Sequence, residues 1–303
     1  MSGVTLLHAS SPSACLVRSL GLVTTSDRVI GAATGAVRLA WSADDQLGMR
    51  AQLAPLESDA AGLRVELGHQ GSESADETRC CCPIIADDLL NPRPPPNVRL
   101  GAVAIPINSA NEVLLTRRPR LMRTFPGAWV LPGGSVDRED ESVVHAALRE
   151  LEEETGLKAP LDACEQPAPL CLWESCFPVS FDEWAAQRKE GVRRTAHFLI
   201  SFVVVRVGSV APLRLQPAEC DAAVWVPLGD VAAALCGDGS ATSAECYAAA
   251  PMEGVDGTTV APVKPQQLAG VYPNALGEGV GRGHLWALRR LLRRLQSDPC
   301  ADQ

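Results

Sequence analysis

"PGGSVDREDESVVHAALRELEEETGL", residues 132–157, places eight carboxylates in a stretch that otherwise reads as a turn followed by one helix. Like charges at i,i+4 weaken a helix by a few tenths of a kcal/mol each, so a solvated acidic face normally intersperses lysines. No lysine occurs before Lys158, and Arg149 is the one arginine in the helical part. At about 100° per residue, Val144, Ala147, Leu148, Leu151 and Thr155 share a face suited to packing on a sheet. Glu150, Glu153 and Glu154 converge on another face because i, i+3 and i+4 are neighbours, while Glu152 points away. Gly156 offers the left-handed residue that ends a helix, and Pro132-Gly133-Gly134 allows a tight turn ahead of it. The expected result is loop–helix–loop with three carboxylates at one height. Such a cluster must be solvated or neutralised by cations, and all-oxygen donors suit Mg²⁺ or Mn²⁺.

Working outward, "VRLGAVAIPIN" (98–108) and "NEVLLTRR" (111–118) read as a hairpin across "NSAN" (108–111). "AWVLPGG" (128–134) leads into the acidic helix, and "LCLWES" (170–175) and "TAHFLISFVVVRV" (195–207) read as strands after it. "AAVWVPLGDVAAAL" (222–235) reads as a strand running into a short helix, and residues 236–262, rich in Gly, Ser, Thr and Ala, as a surface loop. "HLWALRRLLRRL" (284–295) is an amphipathic helix with a packed face and four arginines on its polar side. Residues 1–68 alternate short β-like runs with turns, and "GHQGSESADETR" (68–79) is a polar loop. "NPRPPP" (91–96) is a stiff extended boundary, since proline fixes φ and its predecessor avoids the α region. The expected division is an N-terminal extension of unknown role at 1–79, a linker at 80–97, a core domain at 98–235, and a loop with the C-terminal helix at 236–303.

With 46% hydrophobic residues, the 303-residue chain can bury a sizeable core. A formal charge of −9 and a pI near 5.1 argue against DNA or long nucleic acid as a broadly gripped partner, which needs a basic footprint. The eleven cysteines form one "CCC" run at 80–82 and scattered singles with no CxxC spacing, which favours reduced thiols over a disulfide or zinc framework. "MSGVTLLHASSPSACLVRS" lacks a basic n-region, no apolar run reaches membrane-spanning length, and "PCADQ" carries no peroxisomal tripeptide. These features point to a cytoplasmic protein with no membrane partner.

The segment 133–157 resembles the Nudix box, G-x5-E-x7-R-E-U-x-E-E-x-G-U with U aliphatic. Glu141, Arg149, Glu150, Leu151, Glu153, Glu154, Gly156 and Leu157 match its fixed places. Six residues rather than five separate Gly134 from Glu141, as in the coenzyme-A-cleaving branch of that family. "LLTRRPRLMRTFPGAWVLPGG" (114–134), "LCLWESCFP" (170–178), "TAHFLISFVVV" (195–205), "PAECDAAVWVPL" (217–228) and "GHLWALRRLL" (283–292) extend the resemblance over roughly residues 80–295. Together they are similar to the Nudix subgroup called nudix-type motif seventeen, which resembles mRNA cap hydrolases and stands near NADH diphosphatases. The fold implied is of α/β class, a Nudix α/β/α sandwich around a mixed sheet, with an N-terminal extension and a C-terminal helix.

The resemblance implies a hydrolase that cleaves a nucleoside diphosphate linked to another moiety, by in-line attack of water on phosphorus with Mg²⁺ or Mn²⁺ neutralising charge. It implies Glu150, Glu153 and Glu154 as metal ligands, with the Gly134 carbonyl as a further one. Arg149 is expected to orient Glu150 or Glu141, and Glu141 either binds a second metal through water or serves only as the partner of Arg149. Glu219 is the first choice for general base and Glu174 the second, each set against the reading as an exposed loop carboxylate. Arg117, Arg118 and Arg123 are candidate phosphate clamps. Trp129, Trp173 and Phe177 are candidate purine stackers, and His197 reads as a core histidine. The implied substrate is a nucleotide-type small molecule or the 5′ end of capped RNA, with 7-methylguanosine-capped mRNA giving 7-methyl-GDP favoured.

Three alternatives stand beside it. Coenzyme A is supported by 114–134, which departs from that branch's signature at Pro119 and Leu131. NADH is the next, although the downstream Ser-Gln-Pro-Trp-Pro-Phe-Pro sequence of that branch is absent. The third is a nucleotide-binding module without catalysis, a kind that usually lacks box glutamates.

Overall fold

A computed structural model describes residues 5–7, 35–44, 48–55, 62–69, 98–159, 166–177, 189, 196–208, 213–231, 246–251, 258–263 and 265–297. The chain divides into two compact units, the first comprising Met1–Ala102, Ser135–Val143 and Cys171–Ser201, the second Val103–Gly134, Val144–Leu170 and Phe202–Gln303. The expected linker at 80–97 lies outside the described residues.

In the first unit, β1 (Thr5–Leu7), β2 (Gly35–Asp44), β3 (Gly48–Pro55) and β4 (Leu63–His69) form an antiparallel group in the order β1-β3-β2-β4. Alternation places Val37, Leu39, Leu53, Val65 and Leu67 in its core. β4 continues in parallel with a strand read in the sequence at 170–175, in the register Glu66↔Cys171 to His69↔Glu174. His197 and Glu174 are fully buried in this unit, with His197 Nε2 2.7 Å from Glu174 Oε1.

The strands common to the expected core are β5 (Val98–Ile107), β6 (Glu112–Arg117), β7 (Trp129–Val130), β8 (Gly133–Ser135), β9 (Ala168–Phe177), β10 (Ala196–Arg206) and β11 (Ala222–Pro227). The β5–β6 hairpin forms where the sequence places it. Asn108 Oδ1 accepts from the N–H groups of Ala110 (2.9 Å) and Glu112 (3.0 Å), the local turn chemistry of asparagine. Within the second unit, β6 pairs antiparallel with β11 from Ala222↔Arg117 to Pro227↔Glu112, and with β7 through Thr116↔Val130. The parallel and antiparallel ladders make the sheet mixed.

Residues 236–262 contain two strands rather than only a loop: β12 (Cys246–Pro251) and β13 (Thr258–Val263) pair with each other, and β12 pairs with β11. Alanine has weak strand preference, so "CYAAAP" gives little signal until the edge of β11 supplies a ladder. Residues 228–231, directly after β11, are helical as expected, and three further helices are described: α1 (Val143–Thr155), α2 (Pro265–Leu268) and α3 (Arg282–Ser297). None is long and apolar enough to cross a membrane.

The buried stripe of α1 differs from the apolar face read above. Val143, Ala146, Ala147, Glu150, Leu151, Glu154 and Thr155 are buried, whereas Val144 and Leu148 are only half-buried. Hydrophobic periodicity scores only apolar side chains, and here two glutamates belong to the i, i+3, i+4 stripe itself.

Candidate metal and phosphate site

The C-terminus of α1 builds the site. The last carbonyls of a helix have no intrahelical partner, and residues 213–220 supply donors for them. Arg214 N donates to Thr155 O (2.8 Å), Gln216 N to Glu154 O (2.9 Å), and Cys220 Sγ also to Glu154 O (3.2 Å). Gly156 takes φ +74°, the left-handed terminating residue, and its N–H returns to Glu152 O at 2.8 Å. This stitching carries Glu219 to the end of the helix. One carboxylate oxygen each from Glu150, Glu154 and Glu219 lies within 4.8 Å of the others. It also encloses the Cys220 thiol, whose burial beside Glu154 pushes it up to about 12.

The turn before β8 closes on the same carboxylates. Gly133 N donates to Glu154 Oε1 at 3.2 Å. A Cβ on Gly134 would stand 2.5 Å from Glu150 Oε1, so this close approach of backbone to carboxylate needs glycine. Arg149 Nη1 donates to Glu150 Oε1 (3.0 Å) and to Glu153 Oε2 (3.1 Å). Glu153 is thereby held toward solvent, with its side chain 53% exposed against 11% for Glu150.

Electrostatics follow from that burial. Desolvation, with the charges of Glu150 and Glu219 adding to it, pushes Glu154 up to about 8, against the opposing Gly133 N–H and Arg118. Glu150 is also raised, by desolvation first, with Arg149 opposing. Crowded carboxylates that resist ionisation in a partly buried oxygen cage fit a hard divalent cation, whose charge removes the conflict.

The arginines of β6 and the following hairpin separate into distinct environments. Arg117 donates from Nε to Asp221 Oδ1 (2.7 Å), lies 3.7 Å from Glu278 Oε1, and covers the Trp129 ring at 5.6 Å. Arg118 donates to Thr124 O (3.1 Å) and Thr124 Oγ1 (3.2 Å). Desolvation lowers Arg118, while the charges of Glu154 and Glu219 oppose that shift. Arg123 and Glu141 are exposed. Trp129 is fully buried, with Nε1 3.2 Å from Glu278 Oε2, and its ring is closed to a ligand. In the first unit, Trp173 is buried, Phe177 is 42% exposed, and Glu174 is occupied with His197.

Two residues here escaped the sequence reading. Glu278 is buried and accepts from Arg120 Nη2, Trp129 Nε1 and Gln267 Nε2. His284 Nδ1 accepts from Leu131 N at 3.0 Å, two residues before Gly133. Desolvation, with the Arg118 charge adding, pushes His284 down to about 3, which keeps that lone pair free to accept. The available signal was the lone acid inside "GEGVGRGH" (277–284), where glycines at φ +68° (Gly277) and +104° (Gly279) let the backbone fold tightly around it.

Residues 98–249 match the NUDIX domain. The chain belongs to the Nudix family. Among its relatives, an m7GpppN-mRNA hydrolase NUDT17 of Danio rerio is 39% identical over 131 residues, 41% of this chain and 40% of that protein. The Homo sapiens protein of the same name is 38% identical over 142 residues, 46% of this chain and 40% of its own length. An uncharacterized Nudix hydrolase NudL of Klebsiella aerogenes is 43% identical over 74 residues, 23% of this chain and 62% of its own. The alignments span 40% of the two m7GpppN-mRNA hydrolases and 62% of NudL, less than two thirds of each. A MutT Nudix hydrolase of Burkholderia pseudomallei superimposes at a TM-score of 0.31, with 25% identity, over 44% of this chain and 85% of that one. α2 and α3 lie beyond the matched 98–249, yet they carry Glu278's partner Gln267 and His284.

Proposed function

We propose that this Nudix-family chain is a divalent-metal-dependent hydrolase of a diphosphate linkage, acting on the 7-methylguanosine cap of RNA and releasing 7-methyl-GDP. The observation that carries the hydrolase reading is the Glu150–Glu154–Glu219 cluster closed over by Gly133 and Gly134. Support for the cap is the similarity to four relatives named m7GpppN-mRNA hydrolase, at 35–39% identity. Mg²⁺ or Mn²⁺, when bound, neutralises charge that develops on the phosphate oxygens.

The chain's own side chains divide the remaining work. Glu150 and Glu154 hold the ion, with the Gly134 carbonyl as a further ligand. Arg149 fixes the orientation of Glu150 and shares its charge with Glu153. Glu219 is the exposed carboxylate of the three and takes the proton of the attacking water. Arg118, next to Arg117 whose carbonyl accepts from Asp221 N, contacts the phosphates, and exposed Arg123 on the same hairpin extends the clamp. Arg117, already engaged by Asp221, holds β6 against the strand that delivers Glu219.

Capped RNA, NADH and coenzyme A, each at equal concentration with Mg²⁺ or Mn²⁺, are compared by product mass and kcat/KM. The expected result is 7-methyl-GDP from capped RNA as the fastest reaction, with NADH a weaker substrate. Highest kcat/KM for coenzyme A, with 4′-phosphopantetheine as product, would transfer the assignment to the branch that residues 114–134 resemble.

A further inference from the structure

Phe125 combines two features that folding alone disfavours. Its backbone takes φ +50°, a left-handed conformation that is uncommon for a bulky residue, and its ring is 52% exposed. Single exposed aromatics are ordinary, but one held out by a strained backbone is a marker of function. The strain is fixed from several directions. Gly127 N donates to Arg118 O (3.0 Å), Arg118 N to Ala128 O (2.9 Å) and Ala128 N to Phe125 O (3.2 Å), which locks the hairpin of residues 118–128.

A second aromatic ring supports the first. Tyr272 meets Phe125 edge-on, with centroids 6.0 Å apart and planes at 79°. Its hydroxyl donates to Pro126 O at 3.0 Å and its backbone N–H to Val280 O at 2.9 Å, so the 270–280 turn props the hairpin. An edge-on contact sets the rim of one ring against one face of the other, and the half-exposed Phe125 ring keeps surface for another π system.

The pair is tied to the carboxylate site by one side chain. Arg118 donates both to the carbonyl and to the hydroxyl of Thr124, the residue before Phe125, and the adjacent Arg117 O accepts from Asp221 N at 3.0 Å, two residues after Glu219. A diphosphate gripped by Arg118 would have its attached nucleoside on the side of Thr124 and Phe125. We propose that Phe125 and Tyr272 form the base-stacking shelf for the nucleobase of the substrate. This rests on the diphosphatase reading above and adds where the nucleoside lies. The shelf takes the role that the sequence suggested for Trp129.

Phe125→Gly separates stacking from folding, because glycine relaxes at φ +50° while the ring is lost. Phe125→Tyr restores a ring, and Leu121→Ser, at a 98% exposed apolar position of the same hairpin, is the control. Dissociation constants for GDP, ADP and inorganic pyrophosphate are measured by calorimetry in Mg²⁺. Phe125→Gly is expected to weaken both nucleotides at least about tenfold while leaving pyrophosphate within about twofold, with Phe125→Tyr and Leu121→Ser near wild type. Melting temperature should hold or rise in Phe125→Gly. Nucleotide affinities unchanged by Phe125→Gly, or pyrophosphate weakened in parallel, would overturn the shelf. Wild-type protein that binds pyrophosphate but neither nucleotide would also overturn it, and leave the diphosphatase reading standing. Wild-type protein that binds none of the three would sink both.

Discussion

Helix α1 and the segment from α2 into α3 both act on residues 129–134, by different means. α1 reaches them with chemistry: a Glu154 carboxylate on Gly133 N and a Glu150 carboxylate against Gly134. The later segment holds them with scaffolding. Gly279 O accepts from Trp129 N (2.9 Å), Gly281 N donates to Trp129 O (3.0 Å), and His284 Nδ1 accepts from Leu131 N (3.0 Å). Glu278 adds a buried side-chain anchor on the Trp129 indole. The family match includes α1 and stops before the scaffold. Reactive groups can thus be set by a motif, while the segment that positions their loop lies elsewhere in the chain.

The sharpest break in that comparison is within α1. Glu154→Gln or Glu150→Gln should lower turnover by at least about 10²-fold, because each removes a ligand from a site where the metal supplies most of the charge stabilisation. Exposed Glu152 is the internal control, and Glu152→Gln should turn over nearly as wild type. Steady-state kinetics at saturating Mg²⁺ decides it, and more than half of wild-type activity in Glu154→Gln would remove α1's chemical role.

The scaffold should answer in stability. Glu278→Leu leaves the Trp129 and Gln267 donors unmatched and should cost about 3 kcal/mol in urea unfolding. A cost below about 0.5 kcal/mol would make the segment an accessory. His284→Phe leaves only the Leu131 N–H unmatched and should cost less, about 1–2 kcal/mol.

Opposite pH slopes give the finest distinction. Glu154 rises from 4.5 to about 8 on folding, so the folded state binds its proton more tightly. In metal-free protein its contribution to stability therefore declines as pH climbs from about 4.5 to about 8. His284 falls from 6.5 to about 3, so its contribution declines as pH drops from about 6.5 towards 3. The two windows overlap from about 4.5 to about 6.5, where the opposite slopes offset, so melting temperature in chelator should be level there, with the alkaline slope above it reduced in Glu154→Gln and the acid slope below it reduced in His284→Phe. An alkaline slope left unchanged in Glu154→Gln would assign it to another group, since Glu150 alone accounts for only part of it.

The helix, its terminating Gly156, the β5–β6 hairpin and the carboxylates were readable because each is a local pattern: a period, a turn residue, a charge density. Three things were not. Helical spacing places Glu153 beside Glu150 and Glu154, but which glutamates are covered depends on the loop of Gly133 and Gly134, and Arg149 draws Glu153 outward. Trp129 reads as a loop-edge aromatic, yet β6 and the Gly279–Gly281 backbone engage its strand on either edge, and that needs a partner some 150 residues away. Phe125 and Tyr272 are equally remote in sequence, and no periodicity links them.

On the proposed reading Glu150 and Glu154 hold a divalent ion, and Glu219, with a carboxylate oxygen within 4.8 Å of theirs, stands beside it as the base. Mn²⁺ binding to metal-free protein, followed by the loss of free-ion electron paramagnetic resonance signal, tests it without reference to activity or substrate. Wild type and Glu152→Gln should bind alike, while Glu154→Gln and Glu150→Gln should weaken binding at least about tenfold, since each deletes one anionic oxygen donor from the cage. Glu154→Gln binding Mn²⁺ as tightly as wild type would contradict the account.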